Sequence, residues 1–388
     1  MVTDTISKKA IQLHRKYNGK IKISSKIPNL HQKDLQLIYT PGVAAVSKEI
    51  VKRRNQKYLL TSKSNNVAII TDGTRLLGLG NVGPDAALPV MEGKSLLYKK
   101  YGAVDAYPIC LNTTKKDEII TAVKAIEPVF GAINLEDIES PKVIEISEIL
   151  EKQLSIPVFH DDRHGTSVVV LAALLNSLKI VRKQLDSVKI VIAGAGSAGY
   201  GICKLLKFAG SNNMIVVDSV GAIYAGRKKD MNKYKKEIAK ITNQKKEKGS
   251  LEQMLRGSDV FIGVSGIKNL LNSKMIKDMS ENAIVFALTN PEPEVSPSEA
   301  IKAGAKIVAT GSYQFQNRVN NALVFPYLMR AILDYRIKKI SPKLLLTVSK
   351  AIAKSISVSK RNHNHIIPEI GEKSLQKNIN LAIQNLKK

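Results

Sequence analysis

Two pairs of adjacent carboxylates are the residues whose types and spacing most clearly indicate chemistry. Glu136–Asp137 and Asp161–Asp162 each follow a short apolar run of the kind that forms a buried strand. Neighbouring like charges cost free energy unless a cation compensates them, and carboxylate oxygens suit octahedral Mg²⁺ or Mn²⁺. The two pairs together therefore predict a divalent-metal site, although each alone also fits a helix cap or a surface ion pair. His160 and His164 flank the second pair, and we expect them to support or pack against an all-oxygen site.

A glycine-rich segment lies where a dinucleotide could bind. It has the pattern G-x-G-x-x-G, follows the apolar run Val188–Ala193 and precedes a predicted helix, Tyr200–Phe208. Glycines let backbone amides approach a pyrophosphate, and the helix N-terminus adds partial positive charge. An acid about twenty residues further on, Asp218, can bind the ribose hydroxyls. We therefore predict a cofactor site formed by Gly194, Ala195, Gly196, Ser197, Ala198, Gly199 and Asp218.

The sequence leaves the choice between NAD and NADP open. The Asp218 carboxylate would repel a ribose 2′-phosphate, which slightly favours NAD. Arg227, Lys228 and Lys229 lie close enough in sequence to weaken that preference. A second match to the glycine pattern, Gly78–Gly83, is followed by proline and lacks a suitably placed acid, so we interpret it as a structural or substrate-side turn.

Alternating helix and strand signals position these residues. In the first half, helical spacing at 3–17, 88–100 and 140–154, the last with a capped start, alternates with strand-like runs at 66–71, 104–111, 132–135 and 157–160. In the second half, an apolar helix at 167–178 precedes strand signals at 188–193, 214–217, 260–264, 283–287 and 306–309. This alternation is typical of α/β folds, in which the chemistry lies at strand ends.

We predict an α/β protein of two domains. Residues 1–164 would form an α/β domain that carries the acidic cluster, and residues 165–388 a Rossmann-type doubly wound dinucleotide-binding domain that ends in a lysine-rich helical tail. A chain of 388 residues, 44% of them hydrophobic, is long enough for two cores.

The cellular location is predicted from the absence of sorting signals in the sequence. The N-terminus has no apolar signal-peptide core, and no run approaches the roughly 18 to 20 apolar residues of a membrane span. Cys110 and Cys203 each stand among apolar residues, which suits buried thiols in a reducing compartment. We expect a cytoplasmic protein with no membrane partner.

The net charge of +27 raises nucleic-acid binding as a rival function. The lysines are dispersed, however, and alternate with acidic and amide residues as they do on solvated helix faces. The chain has no Trp and only 5% aromatic residues for stacking on bases. We therefore expect no nucleic-acid partner, and a positive field that attracts anionic small molecules.

Seven motifs resemble the malic enzyme family, in particular its shorter prokaryotic branch. They occur in the family's order and spacing, at Ile38–Ala44, Thr71–Asn81, Pro89–Lys94, Asn134–Asp137, Phe159–Asp162, Phe286–Pro291 and Asn320–Pro326. The resemblance implies a homodimeric oxidoreductase that converts malate to pyruvate and carbon dioxide, reduces NAD or NADP, and requires Mg²⁺ or Mn²⁺. Arg163 departs from the family pattern, since many of the shorter bacterial members have Gln there.

The resemblance also implies roles for individual residues. Lys94 would be the catalytic base and Tyr39 the catalytic acid, and Asp161, which we group with the catalytic residues, would oppose any lowering of the Lys94 pKa. The residues that would hold the metal are Glu136, Asp137 and Asp162. Malate would be bound by Arg75, Asn290 and Asn321, with Asn290 and Asn320 also near the nicotinamide.

Two other functions are compatible with the sequence. One is a related enzyme, either a 2-hydroxy acid dehydrogenase that stops at the keto acid or a malolactic-type enzyme that retains its NAD. The other is a basic nucleic-acid-binding protein that keeps a relic dinucleotide fold. Product analysis separates the first from a malic enzyme, and salt-dependent retention on DNA without malate turnover would favour the second.

Overall fold

The computed structural model describes residues 2–76, 78–312 and 315–387, and its elements alternate between helix and strand. The strands are β1 Asn66–Thr71, β2 Asp105–Cys110, β3 Ala132–Leu135, β4 Val158–His160, β5 Lys189–Ala193, β6 Asn213–Asp218, β7 Gly221–Ala222, β8 Val260–Gly263, β9 Ile284–Ala287 and β10 Ile307–Thr310. The first helices are α1 Val2–Tyr17, α2 Leu35–Ile38, α3 Gly42–Lys52, α4 Lys57–Leu60, α5 Gly83–Gly102, α6 Lys116–Ile126, α7 Lys142–Gln153 and α8 Thr166–Val181. The remaining helices are α9 Ser197–Phe208, α10 Lys233–Ile241, α11 Leu251–Leu255, α12 Ser273–Lys277, α13 Pro297–Lys302, α14 Phe325–Asp334, α15 Pro342–Lys354 and α16 Lys373–Lys387.

Four parallel strands form the first sheet, in the order β2-β1-β3-β4. The chain passes from β1 to β2 on one side and returns to β3 on the other, so the strand order reverses between β1 and β3. Ile70 pairs with Leu135, and Leu135 with His160, which aligns the carboxyl ends of three strands. Ligands of open α/β sheets bind at such a reversal, and both predicted acidic pairs follow these strand ends.

The second sheet has the order β10-β9-β8-β5-β6-β7, parallel except for the short antiparallel pair β6–β7. Its order reverses between β5 and β8, and the glycine-rich loop follows β5. This is the strand order of a doubly wound dinucleotide-binding sheet.

Helices cover both sheets, which explains why the strands read as continuous apolar runs. All six residues of β1 and all four of β3 are buried. Cover also comes from α8, which continues a π-helical turn at Asp161–Gly165. Together they form a 21-residue helix, Asp161–Val181, long and apolar enough to span a membrane. Polar residues interrupt this helix, and 72% of its apolar window is buried inside the protein, as in a core helix.

The C-terminal helices pack back onto the first half of the chain. Tyr98 of α5 lies against Phe325 of α14, with ring centroids 4.7 Å apart, and Asn176 of α8 donates hydrogen bonds to the carbonyls of Ala353 and Ile366. One cluster of buried apolar side chains includes strands of both sheets. Because helix Asp161–Val181 also runs through residue 164, the division into 1–164 and 165–388 stays a prediction.

Most predicted elements are present, with shifted ends. The helix predicted at 140–154 is α7, which starts at Lys142 after Pro141 and lacks a side-chain cap, so the predicted cap was wrong. The helix predicted at 88–100 is longer and starts at Gly83. These shifts leave the acidic pairs and the glycine-rich loop at strand ends.

Residues 2–60 form an exposed helical segment, which we call the N-terminal arm (α1–α4). Many of its large apolar side chains are exposed to solvent, with 73% of Leu37, 82% of Val51 and 69% of Leu59 exposed. Lys20 ties it to α5, through its backbone N–H to Glu92 at 3.0 Å and its Nζ to the Pro89 carbonyl at 2.6 Å. An apolar surface of this extent on one chain indicates an interaction surface.

Candidate active site

A buried lysine links the two predicted acidic pairs. Lys94 lies on α5 with 7% of its surface exposed, and its Nζ is 2.6 Å from Glu136 Oε2 at the end of β3. The same Nζ pairs with Asp161 at the end of β4 and lies 4.2 Å from the centroid of the Phe325 ring. The structure therefore brings together Lys94, Glu136 and Asp161, as expected for residues at aligned strand ends.

Amide side chains hold both carboxylates in place. Asn321 Nδ2 donates to Asp161 Oδ2 at 2.6 Å, and Asn134 Nδ2 donates to Glu136 Oε2 at 3.0 Å. Asn134 is itself fixed by the Tyr98 hydroxyl at 2.6 Å. The sequence analysis assigned no role to Asn134 or Tyr98. A polar residue within the otherwise apolar run Ala132–Leu135 was the signal for the first, whereas nothing in the sequence indicated the second.

The acidic cluster around Lys94 is buried, and it contains more carboxyl groups than cationic groups. Burial raises the pKa of Glu136 well above its usual range. Burial also raises the pKa of Asp137 to about 7, and the nearby Asp162 adds to this rise. Burial alone would lower the pKa of Lys94, but Asp161 and Glu136 outweigh it and hold that pKa above its ordinary value. In this arrangement Lys94 is an ammonium ion.

The acidic side chains have the chemistry that a divalent cation requires, although the described residues do not form a metal-binding group. Glu136, Asp137 and Asp162 offer only oxygen atoms, the donors that Mg²⁺ and Mn²⁺ prefer, and their mutual repulsion would be relieved by positive charge. Asp161 Oδ1 is buried without a hydrogen-bond partner among the described residues. Within residues 2–76, 78–312 and 315–387, no three His, Cys, Asp or Glu side chains already form a metal-binding group.

The two histidines behave as packing residues. His160 is fully buried, and neither of its ring nitrogens has a hydrogen-bond partner in the described part of the chain. His164 Nδ1 accepts a hydrogen bond from the His160 backbone N–H at 3.2 Å. Burial keeps the pKa of both imidazoles well below the usual range, so they stay neutral beside the acidic cluster.

The glycine-rich loop opens a cleft of about 720 Å³ that is lined by Gly194–Gly196, Asp218 and Ser265, among others. Helix α9 begins at Ser197, so its N-terminus faces the cleft as predicted. Gly194 has φ +114°, and a Cβ atom there would lie 2.5 Å from the Val264 carbonyl oxygen. A Cβ on Gly196 would lie 3.8 Å from Arg75 Nη1, so this predicted malate-binding residue reaches from the first sheet to the dinucleotide loop.

Asp218 lines the cleft but is not free. Arg227 binds both of its carboxylate oxygens, and Lys235 Nζ lies 2.8 Å from Oδ2. Although burial opposes it, hydrogen bonds from Arg227, Lys235 and the Val220 N–H lower the pKa of Asp218 to about 2. Of the three cations suggested by the sequence only Arg227 makes this contact, and Lys235 was missed because its approach depends on where α10 packs.

Two of the predicted amide residues meet at the end of β10. Asn320 Nδ2 donates to the Gly311 carbonyl at 3.3 Å, and a Cβ atom on Gly311 would lie 2.6 Å from Asn290 Nδ2. The turn at Gly78–Gly83 lies against the same loop, since a Cβ on Gly78 would be 3.0 Å from Pro291 Cδ. Its position fits the interpretation as a substrate-side turn.

A buried glutamate that the sequence analysis did not identify organises this loop. Glu294 is fully buried and accepts hydrogen bonds from the backbone N–H and hydroxyl groups of Ser265 and Thr289. Ser265 follows β8, and Thr289 precedes Asn290 after β9. Glu294 therefore fixes two strand-end loops that border the site.

Tyr39 is the one predicted catalytic residue that a single chain does not bring to Lys94. It lies in the N-terminal arm with 71% of its surface exposed, and its side chain makes no hydrogen bond or ring contact to the described residues. Its backbone N–H is bonded to the Leu35 carbonyl at 3.0 Å. The roles predicted for Tyr39 and the other site residues stay predictions.

Comparison with known proteins gives a consistent picture. A model of the malic enzyme N-terminal domain matches residues 18–151, and a model of the malic enzyme NAD-binding domain matches residues 164–386. The chain is 46% identical to the bifunctional malic/malolactic enzyme of Bacillus subtilis, over 94% of this chain and 88% of that one. It is 46% identical to the NAD-dependent malic enzyme of Geobacillus stearothermophilus, over 94% and 76%. It is also 40% identical to the NADP-dependent malic enzyme of Escherichia coli over 90% of this chain, but spans only 46% of that enzyme's length.

A solved structure agrees in fold. The crystal structure of the NAD-dependent malic enzyme from Thermotoga maritima has a TM-score of 0.92 and 44% sequence identity, and covers 97% of this chain and 98% of that chain.

These features define a two-domain α/β oxidoreductase that works with NAD or NADP. More specifically, the chain belongs to the malic enzyme family, as its motifs predicted. The predicted fold class is confirmed.

Proposed function

We propose that this protein oxidises (S)-malate with NAD or NADP and decarboxylates the product to pyruvate and carbon dioxide. The observation that carries the proposal is the buried Lys94, held between the Glu136 and Asp161 carboxylates at the ends of β3 and β4. A positive group at this place suits a dianionic substrate whose hydroxyl must lose a proton.

Mg²⁺ or Mn²⁺ would be held by Glu136, Asp137 and Asp162, and would supply the Lewis acidity that lowers the hydroxyl pKa and stabilises the charge that develops during decarboxylation. The residues of the chain do the rest. Arg75, Asn290 and Asn321 would bind and orient the carboxylates of malate, and Arg75 Nη1 lies close to Gly196 of the dinucleotide loop.

Lys94 would take the proton of the C2 hydroxyl, which requires its neutral form. Asp161 and Glu136 favour the ammonium form, so Lys94 must first lose part of this support. Glu136 is shared between Lys94 and the metal site, and its engagement there would leave Asp161 as the remaining carboxylate partner of Lys94. Asp161 is itself restrained by Asn321 at 2.6 Å and would keep the amine oriented after deprotonation.

We propose that the protein is a homodimer and that Tyr39 works in the partner's active site. Tyr39 and the apolar side chains of the N-terminal arm are exposed on one chain, whereas an acid that protonates C3 must touch the reacting atoms. A second copy that covers the arm would bury this surface and place Tyr39 next to another Lys94.

Mixed dimers test this arrangement directly. Lys94→Ala and Tyr39→Phe should each be nearly inactive alone. Co-refolded as a mixture, they should regain up to about a quarter of wild-type turnover, since half the dimers would be mixed and each of these would hold one intact site. Mixing either variant with a second preparation of itself is the control. A mixture as inactive as its components would show that both residues act within one chain.

For the coenzyme we propose a preference for NAD. Arg227 is saturated by Asp218 and is almost fully buried, so it is not available to a 2′-phosphate, and the carboxylate remains on the cleft wall. The ratio of kcat/KM for NAD and NADP measures this preference. A ratio in favour of NADP would reject it, and would point to Lys235 as a phosphate ligand.

The experiment that tests the main proposal follows reduced nicotinamide and pyruvate with malate and Mn²⁺, with and without a chelator. Equal amounts of both products, lost on chelation, are expected. Lactate without free reduced coenzyme would instead indicate the malolactic reaction that the name of the Bacillus subtilis relative includes. We also propose a cytoplasmic location, which the two free thiols favour. Fractionation of cells would test it.

A further inference from the structure

A second cavity, of about 320 Å³, lies outside the cleft between the two sheets. Its lining includes Arg163 of the π-helical turn, Lys204, Leu205, Lys207 and Phe208 of α9, and Leu345 of α15. We call it the α9 pocket. None of the residues assigned to malate, metal or coenzyme lines it.

The α9 pocket combines an apolar wall with cations. Leu205 and Leu345 are buried in the wall, while Phe208 is 51% exposed at its edge. The Lys207 side chain has no hydrogen bond or ion pair with any residue in the described part of the chain. Exposed aromatic surface beside an unpaired ammonium is typical of a ligand site rather than of a packed core.

Arg163 supplies a second cation, which is paired with a carboxylate without a direct hydrogen bond. Its Nη1 makes no hydrogen bond to the described residues and lies 3.6 Å from Glu151 Oε1, while its guanidinium stacks 5.6 Å from the centre of the Tyr200 ring. A guanidinium presents paired N–H donors that match the two oxygens of a carboxylate. Lys204 of α9 is likewise partly compensated, by Glu237 at 3.6 Å, which leaves Lys207 as the cation of the pocket whose side chain has no partner among the described residues.

We propose that the α9 pocket is an effector site for a carboxylate with a short apolar body. Arg163 and Lys207 would bind the carboxylate, and Leu205, Phe208 and Leu345 would contact the apolar part. The volume lies at the lower end of small-molecule sites, which excludes a dinucleotide and suits a chain or ring of modest size.

The position of the pocket connects it to the active site. Arg163 directly follows Asp162 and belongs to the turn that carries Asp161. Its carbonyl oxygen packs so closely on α9 that a Cβ atom on Gly201 would collide with it. Since α9 starts at the dinucleotide loop, a ligand that moves Arg163 or α9 alters both the acidic turn and the coenzyme cleft.

Binding of octanoate to the purified protein, followed by isothermal titration calorimetry, tests the site without any need for turnover. One molecule should bind per chain, and octanol, which lacks the charge, and acetate, which lacks the apolar body, should each bind at least about tenfold more weakly. Equal binding of octanol and octanoate would overturn the proposal.

Two variants locate the site. Arg163→Gln should weaken octanoate binding about tenfold, and the surface variant Lys207→Glu by a similar factor, because each removes one charged partner. Lys277→Glu, with the same charge change on α12, is the control and should bind as the wild type does. Octanoate binding that is unchanged in Lys207→Glu would refute the site even if Arg163→Gln failed to fold.

The effector role has its own readout. Saturating octanoate should change the Kd for NAD at least about threefold, and NAD should change the Kd for octanoate by the same factor, since coupling between two sites is reciprocal. The same titration on Lys207→Glu should show a smaller effect at equal octanoate. Independence of the two ligands in the wild type would refute the effector role.

Discussion

The substitution Glu294→Gln should lower the free energy of unfolding and weaken substrate binding. It does so although Glu294 lies outside the predicted catalytic residues and glutamine has nearly the same size and shape. Glu294 is fully buried, and its two oxygens accept from backbone N–H groups of different strand-end loops. Oε1 accepts from the Ser265 N–H at 3.2 Å, and Oε2 accepts from the Thr289 N–H at 3.1 Å. A glutamine has one oxygen, so its NH₂ group must face one of these backbone N–H donors.

The cost follows from that mismatch. One buried backbone N–H loses its acceptor and one charge-assisted bond is lost, which together amount to about 2–3 kcal/mol of the free energy of unfolding. Because Thr289 adjoins Asn290, we also expect a raised KM for malate or coenzyme with a smaller change in kcat. Urea denaturation measures the first effect and steady-state kinetics the second.

A matched control lies two residues away. Glu292 is exposed and pairs with the exposed Lys268 at 3.1 Å, so Glu292→Gln should cost less than about 0.5 kcal/mol and leave KM unchanged. Equal stability of the two variants would refute the reasoning about buried donors. A destabilised Glu294→Gln with normal KM values would show that the loop does not position Asn290.

Two further predictions concern the turn at Asp161–Gly165 and the cleft. Gly201→Ala should lower the unfolding free energy by about 1–3 kcal/mol and weaken Mn²⁺ binding, because the new methyl group meets the Arg163 carbonyl; thermal unfolding and a Mn²⁺ titration test this, and wild-type behaviour would contradict it. Because the pKa of Asp218 is lowered to about 2 by folding, its carboxylate stabilises the protein above about pH 4, and this contribution is lost as the pH falls toward 2. The stability of Asp218→Asn should therefore fall less than that of the wild type over this range, and parallel urea midpoints would contradict the assignment.

The strands were predictable because their physics is local. Parallel strands covered by helices on both faces are apolar at nearly every position, so runs such as Ile190–Ala193 identify both the strand and its end. The ends in turn located the acidic pairs and the glycine-rich loop. The start of α7 was misplaced because Ser140 resembles a cap in sequence, whereas the helix begins after Pro141.

Contacts between distant segments could not be read in the same way. The sequence placed several cations near Asp218, but the choice of Arg227 and Lys235 depends on how α10 packs. The exposure of Tyr39 is a property of the N-terminal arm as a whole, and no local pattern distinguishes it from a core tyrosine. Glu294 was missed because a buried glutamate without a cation partner has no signature in sequence.

The environment of Lys94 explains why the two predicted domains cannot be independent. Lys94 and its carboxylate partners belong to the first predicted domain, but Phe325 and Asn321, which binds Asp161, belong to the second. A buried ion pair that loses a partner costs several kcal/mol. A first domain folded alone would keep the Lys94–Asp161 pair but would lack the contacts that Phe325 and Asn321 make with it. These contacts depend on the helix Asp161–Val181 and on the packing of α14 onto α5. Lys94 and Asp161 therefore reach the arrangement seen here only when the C-terminal helices have docked on the first predicted domain.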